Sequence, residues 1–380
     1  MIIFFTVFFA IYGAINYYIF IRGWQALAVV PYLKPFYIAL FLLASLSYIA
    51  AKIFASNLPP FIYDLLLWIG SFWFAFMLYF FLLIVLIDFI RLLNWPLNFF
   101  PDSIKQNYPQ TKLITGIIVF TISAVIIFAG YINTRKIVVN TVEITLPKKG
   151  TALNELNAVL VADFHLTTVN DGKLLNRIVD KINDLNPDII LMPGDIVDDK
   201  TEILKRNNIG PAFLRLKSKF GVFASTGNHE FISGVDEAVK FMNEYKIAVL
   251  RDSSMIAGNY FNVICRDDRT SQQFTGKKRK ELSEVVSTID KNLPSILMDH
   301  TPFGLEEAAR HGIDLQLSGH THHGQLFPLN FITSMIYEVS WGYLKKGNTQ
   351  YYVTSGVGTW GPPVRLGSDT EIVNLKIKFE

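Results

Sequence analysis

A membrane-spanning helical bundle joined to an α/β domain is the architecture this sequence predicts, on three observations. Apolar residues make up 51% of the 380, a high share for a water-soluble chain, and the excess lies before about residue 132. From Asn157 onward, short apolar runs alternate with amphipathic stretches, the pattern of sheets flanked by helices. Five polar islands fall where those apolar runs end, and strand ends are where α/β proteins gather functional side chains.

The helical part comes first. Roughly 20 apolar residues cross a bilayer as a helix, and four segments qualify, at 2–21, 36–55, 61–90 and 113–132, within a transmembrane domain over 1–135. The third is longer than one perpendicular span, which predicts tilt or an interfacial portion. Asp64 and Asp88 fall near its two ends and read as interfacial groups. Tyr17, Tyr18, Trp24, Trp68, Trp73 and Trp95 include candidates for anchoring at the lipid–water boundary. The first segment lacks a basic start and a small-residue cleavage site, so it reads as a retained helix, not a signal peptide. The expectation is an integral, multi-pass protein of the cell membrane with the lipid bilayer as partner. Four spans would put Met1 and the C-terminal domain on one side. Arg22, Lys34, Arg91, Lys105 and Lys112 on one side nearly balance Lys52, Arg135 and Lys136, with Lys148 and Lys149 further out, on the other, a count that leans towards an extracytoplasmic second domain.

Charge narrows the partners. The apolar part holds six basic and three acidic residues, leaving 29 of each beyond it. That balance gives no nucleic-acid footprint. The run Lys277-Lys278-Arg279-Lys280 reads as a solvated helix start. Cys265 is the only cysteine, so no intramolecular disulfide is possible, and its place in a strand-like run marks it as packing.

Residues 136–154 read as a linker with a leading strand, and 155–380 as the second domain. After the apolar run that begins at Asn157 comes a helix at 171–185, with Lys173, Asn176, Asp180 and Asp184 on its polar side. Strand 187–192, a helix near 203–217, strand 221–226 and helix 235–245 follow. Strands are then expected near 247–250, 260–265 and 295–298, a helix at 305–311, and strands at 315–317, 351–354 and 372–378.

The islands are Asp163-Phe164-His165, Gly194-Asp195 with Asp198, Gly227-Asn228-His229-Glu230, Asp299-His300 and Gly319-His320-Thr321-His322. The i, i+2 spacing of Asp163 with His165, and of His320 with His322, puts each pair on one side of an emerging strand. A pair of divalent ions needs a shared carboxylate and a shell of carboxylate, imidazole and amide donors. Asp163, His165, Asp195, Asn228, His300, His320 and His322 are those residue types, and the mixture favours manganese, iron, zinc or similar ions. The spacing alone does not assign ligands to individual ions. Glycines 194, 227 and 319 are expected to let the chain turn tightly beside the ligands.

From about residue 155 to 380 the chain resembles the calcineurin-like metallophosphoesterase superfamily, in particular its membrane-anchored bacterial branch. All five blocks occur in the family's order, and the stretches LQLSGHTHHGQLFP and SGVGTWGPPVRLG are also similar. The resemblance implies two β-sheets sandwiched between helices and a binuclear centre. Asp163, His165 and His322 would bind one ion, Asn228, His300 and His320 the other, and Asp195 would bridge them. His229 would protonate the leaving oxygen or hold the phosphate, and Asp198 would orient a histidine. Three positions invite comment. Glu230 stands where aspartate is commoner, and His323 stands where the branch has glycine and reads as an exposed loop residue. Arg365 is open to two roles, a phosphate contact or a structural salt bridge.

The stretch 326–344 is unusually apolar. Phe327, Phe331, Ile332, Met335, Ile336 and Trp341 form a face that either packs on the sheet or guides a lipid. The function expected is therefore hydrolysis of a phosphodiester or diphosphate, with a lipid-linked substrate as a finer expectation, by attack of a hydroxide activated by the ions. One alternative is a lipid A pathway pyrophosphatase of the UDP-diacylglucosamine type. The other is a metal-dependent sensor or binding protein without turnover.

Overall fold

The computed structural model describes residues 2–380, with side chains from residue 6 onward; Met1, and with it the expected side of the amino terminus, lies outside the described residues. Two compact units result, Met1–Ile132 with Gly361–Val364, and Asn133–Trp360 with Arg365–Glu380.

The first unit is built from helices α1 (Ile2–Ala26), α2 (Lys34–Ile53), α3 (Pro60–Leu97), the short α4 (Asp102–Gln106) and α5 (Tyr108–Asn133). Among the described residues, three stretches are long and apolar enough to cross a membrane: Pro31–Ile53, Pro60–Leu97 and Tyr108–Asn133. These correspond to the segments expected at 36–55, 61–90 and 113–132. The segment expected at 2–21 is helical and lies within α1. Asn16 takes a structural part, accepting from Trp73 Nε1 at 2.9 Å. Trp73 is therefore a packed core residue against Phe41, with ring centroids 5.0 Å apart, and not a boundary anchor. The 38 residues of α3 extend about 57 Å at 1.5 Å each, well beyond a hydrocarbon core of about 30 Å. Near its end Asp88 pairs with Arg22 and with Arg91, which agrees with an interfacial carboxylate.

The second unit holds two mixed six-stranded sheets. The first runs β1 (Ile137–Leu146), β12 (Thr370–Phe379), β2 (Glu155–Leu160), β3 (Ile189–Pro193), β4 (Val222–Ser225) and β5 (Ala248–Val249). Strands β2 to β5 are parallel, and β12 is antiparallel to β2 while parallel to β1. The second runs β10 (Gly342–Lys346), β11 (Thr349–Val353), β9 (Leu315–Ser318), β8 (Ser295–Met298), β7 (Phe261–Cys265) and β6 (Ser253–Ala257). Its central strands β11, β9, β8 and β7 are parallel, with β10 and β6 as antiparallel edges.

Strand alternation explains the layers. Leu156, Ala158 and Leu160 of β2 join Val263, Ile296 and Leu317 in a core between the sheets. Val159 and Val161 point the other way, to Ile178, Ile182 and Phe241 of the covering helices. Cys265 is buried in the inter-sheet core, where desolvation pushes its thiol up.

Three expectations need correction. The helix expected at 203–217 is a short helix, Thr201–Arg206, and a separate turn of 3-10 helix, Pro211–Arg215. The left-handed backbone of Asn208 (φ 52°) and Gly210 (φ 128°) breaks it, and Pro211 offers no N–H to continue. Strands β6 and β10 were not expected. The basic run 277–280 is an extended lead into the helix Leu282–Val286, and its Arg279 turns inward to Asp299 at 3.0 Å.

Candidate metal centre

Every island lies just past the carboxyl end of a parallel strand: β2, β3 and β4 in the first sheet, β8 and β9 in the second. Five of the residues expected to hold metal have left-handed backbone: Asp163 (φ 56°), His165 (φ 45°), Asp195 (φ 52°), His320 (φ 72°) and His322 (φ 47°). Such conformations cost about 1–3 kcal/mol each and collect where function demands them. Loop pairing over-determines them here, because Asp163 N–H donates to Gly194 O at 3.1 Å and His165 N–H to Asp195 O at 3.0 Å.

The glycines act differently from one another. Gly194 does turn the chain, at φ 81°. Gly227 and Gly319 instead clear space: a Cβ on them would lie 2.2 Å from Asp195 Oδ1 and 2.3 Å from Asp163 Oδ2.

The side chains form three overlapping groups whose donor atoms lie within 4.8 Å of one another: Asp163 with His165 and His322, His165 with Asp195 and His229, and Asp195 with His300 and His320. His165 Nε2 faces His322 Nε2 at 2.9 Å. Asp195 Oδ2 lies 3.0 Å from His300 Nε2 and 3.7 Å from His165 Nε2. His320 Nδ1 lies 2.8 Å from Asn228 Oδ1 and 3.3 Å from His300 Nε2. Asp163 Oδ2 is buried and, among the described residues, without a hydrogen-bond partner. Lone pairs of nitrogen and oxygen thus converge with too few protons between them, an arrangement that a cation completes.

Supporting contacts orient the donors. His300 Nδ1 donates to Pro193 O at 2.8 Å, leaving Nε2 for the centre. Asp198 serves two imidazoles, 3.2 Å from His165 Nδ1 and 2.5 Å from His229 Nδ1. Asp299 does not join the group; it pairs with Arg279 and Arg266, so its island supplies His300 alone.

Burial makes every charge here expensive, and the neighbours decide the outcome. Against burial, His300, His229 and His165 hold the Asp195 carboxyl well below its ordinary range. Burial pushes Asp163 up despite His300. Burial also opposes a charged His229, yet the carboxylates of Asp198 and Asp195 push it up to about 9. His320 is pushed down to about 4 by burial and by the adjacent His300.

Several participants have roles that the motifs did not announce. Glu230 is fully buried, and its carboxylate accepts from the N–H groups of Asp195, Ile196, Val197 and Gly227 at 2.7–3.0 Å. It builds the turn that presents Asp195. Asn170 Nδ2 donates to Phe164 O, His165 O and Thr359 O. Arg365 is fully buried, with Nη2 bonded to the carbonyls of Ser355 and Gly358 at 2.7 Å and standing 3.2 Å from His322 Nδ1. Among the described residues it makes no salt bridge, and its guanidinium holds loop carbonyls instead. His323 is half-buried, with Nδ1 2.9 Å from Ser340 Oγ and its ring beside Trp341.

A profile of the calcineurin-like phosphoesterase family matches residues 156–324. An uncharacterized metallophosphoesterase of Aquifex aeolicus is 31% identical over 240 residues, covering 63% of this chain and 90% of that protein. The chain belongs to the calcineurin-like metallophosphoesterases. An uncharacterized metallophosphoesterase of Helicobacter pylori is 32% identical over 231 residues, covering 59% of this chain and 60% of that protein. A transmembrane protein with metallophosphoesterase domain of Danio rerio is 29% identical over 284 residues, covering 69% and 62%. This metallophosphoesterase thus spans about three-fifths of the length of these last two relatives. Two divalent ions are typical of the family, and the clustered His and Asp groups suit such ions.

Proposed function

We propose that this protein is a membrane-bound hydrolase of phosphodiesters or diphosphates. The observation that carries the reading is the pair of donor groups meeting at Asp195, one with Asp163, His165 and His322 around it and one with His300 and His320. In this reading Asp163, His165 and His322 hold one ion, Asn228, His300 and His320 the other, and Asp195 both. When bound, the ions lower the pKa of water and polarise a phosphoryl oxygen. The protein's own part is placement and proton transfer. Asp198 fixes Nδ1 of His229, which leaves Nε2 to give a proton to the departing oxygen. The domain boundaries we propose are 1–135 for the membrane part, 136–154 for the linker with its leading strand, and 155–380 for the phosphoesterase.

A lipid-linked substrate is the finer part of the proposal. Its support is the helix Leu329–Ile336, which buries none of its residues and leaves Phe331 59% and Met335 80% exposed. Tyr337, just beyond it, brings its ring within 6.1 Å of His320. An apolar ridge leading to the donor groups suits a phosphoester carried on a hydrocarbon chain. Basic residues on the opposite ends of the helices support a domain outside the cytoplasm.

The test is hydrolysis of a chromogenic phosphodiester by detergent-purified, manganese-loaded protein, beside Asp195→Asn and His300→Ala. Metal-dependent turnover that both substitutions abolish is expected. Two bound ions without turnover of diester, monoester or diphosphate would overturn the reading in favour of a sensor.

A further inference from the structure

An apolar cavity of about 1000 Å³ lies among α1, α2, α3 and α5, wholly within the first unit. That is the upper end of the range for small-ligand sites, about 300–1,000 Å³. Phe41, Trp73, Phe76 and Phe120 form much of its wall. One end is different in kind. Arg22 from the last turns of α1, Asp88 and Arg91 from the last turns of α3, and Lys112 from the first turns of α5 meet there.

The charges at that end do not balance. Asp88 binds both Arg22 and Arg91, and Lys112 stands 4.6 Å over the Tyr108 ring. Three cations share one carboxylate, so two positive charges remain. Arg22 Nε is also buried and, among the described residues, lacks an acceptor. Water would not fill so apolar a space, and a bare anion would leave the aromatic walls unused. An amphiphile satisfies both ends at once. We propose that this cavity binds an anionic phospholipid, with its phosphate against Arg22, Arg91 and Lys112 and an acyl chain between the aromatic walls. Basic pockets between membrane helices recognise such headgroups, whereas a zwitterionic lipid would bring a cation of its own to a positive site. The bundle is then a lipid-binding module as well as an anchor, independently of what the second unit hydrolyses.

Trp73 provides the readout, because it is on the cavity wall and only 8% exposed. The full chain in phosphatidylcholine nanodiscs is titrated with phosphatidylglycerol brominated on its acyl chains, which quenches indole fluorescence on contact. Saturating quenching at low mole fraction is expected, much reduced in Trp73→Phe, which leaves Trp68 as the cavity's other indole, and weaker and non-saturating with brominated phosphatidylcholine. Lys112→Gln should raise the midpoint roughly fivefold, and so should Arg91→Gln, at about the contribution of one cation near a headgroup. Equal quenching by the two lipids, or midpoints unchanged in both variants, would overturn the proposal. Displacement of the signal by millimolar inorganic phosphate would also overturn it, since the site would then be a simple anion site. The comparison of the two lipids needs only the unaltered chain, so a variant that fails to fold does not stall the test.

Discussion

Asp198 is bonded to Nδ1 of two histidines at once, one through each carboxylate oxygen. Asparagine has one acceptor oxygen, and its amide would meet a second N–H with a donor. Asp198→Asn should lower turnover about 10- to 100-fold, measured as kcat beside metal content by mass spectrometry. A fall in turnover larger than the fall in bound metal would mark loss of His229 orientation. Glu230 has a different task. Removing its carboxylate strands four N–H groups around the Asp195 turn, and each buried unsatisfied group costs about 1–3 kcal/mol before relaxation. Glu230→Ala should therefore destabilise the domain by about 3 kcal/mol or more, read as a lower thermal unfolding midpoint. The candidate ligands were legible because their types and spacing are distinctive. The roles of Glu230, Asn170 and Arg365 were not, because they act on backbone N–H and C=O groups, whose positions no residue type announces.

At the scale of elements, signal strength followed burial. The central strands β3, β8 and β9 are buried throughout and were legible as apolar runs. The edges β6 and β10 are half-exposed and look like loops in sequence. The helix Leu329–Ile336 is the converse, an apolar segment that stays on the surface. Because Phe331 and Met335 are exposed, replacing both with serine should leave the thermal midpoint nearly unchanged, as is usual for surface sites, within about 0.5 kcal/mol. Under the lipid-linked reading the same variant should lose activity on long-chain phosphodiesters far more than on a water-soluble ester. Equal loss on both substrates would sink that reading and point to a distorted centre.

For the whole molecule, bound ions and stability are one equilibrium. Ligands that bind only the folded state stabilise it by about 2.7 kcal/mol when present at a hundredfold excess over Kd. Chelation should accordingly lower the unfolding midpoint of the second unit and abolish turnover together, and manganese should restore both. Loss of turnover with no change in midpoint would place the ions elsewhere. The division into an apolar helical part and an α/β part was legible from composition, because bilayers and sheets select such different residue patterns. The contacts between the helices were not, since Asn16 and Arg22 find partners only in the folded bundle.

The first sheet places β12 between β1 and β2, although β12 is made after every other strand of that sheet. A growing chain therefore carries β1 and the open side of β2 unjoined while the rest is translated. Arg365, which clasps the loop carbonyls beside Asp163, arrives in the same late segment. Closure of the first sheet, and the clasp on the loop carbonyls, therefore come from the same last stretch of the chain's second unit.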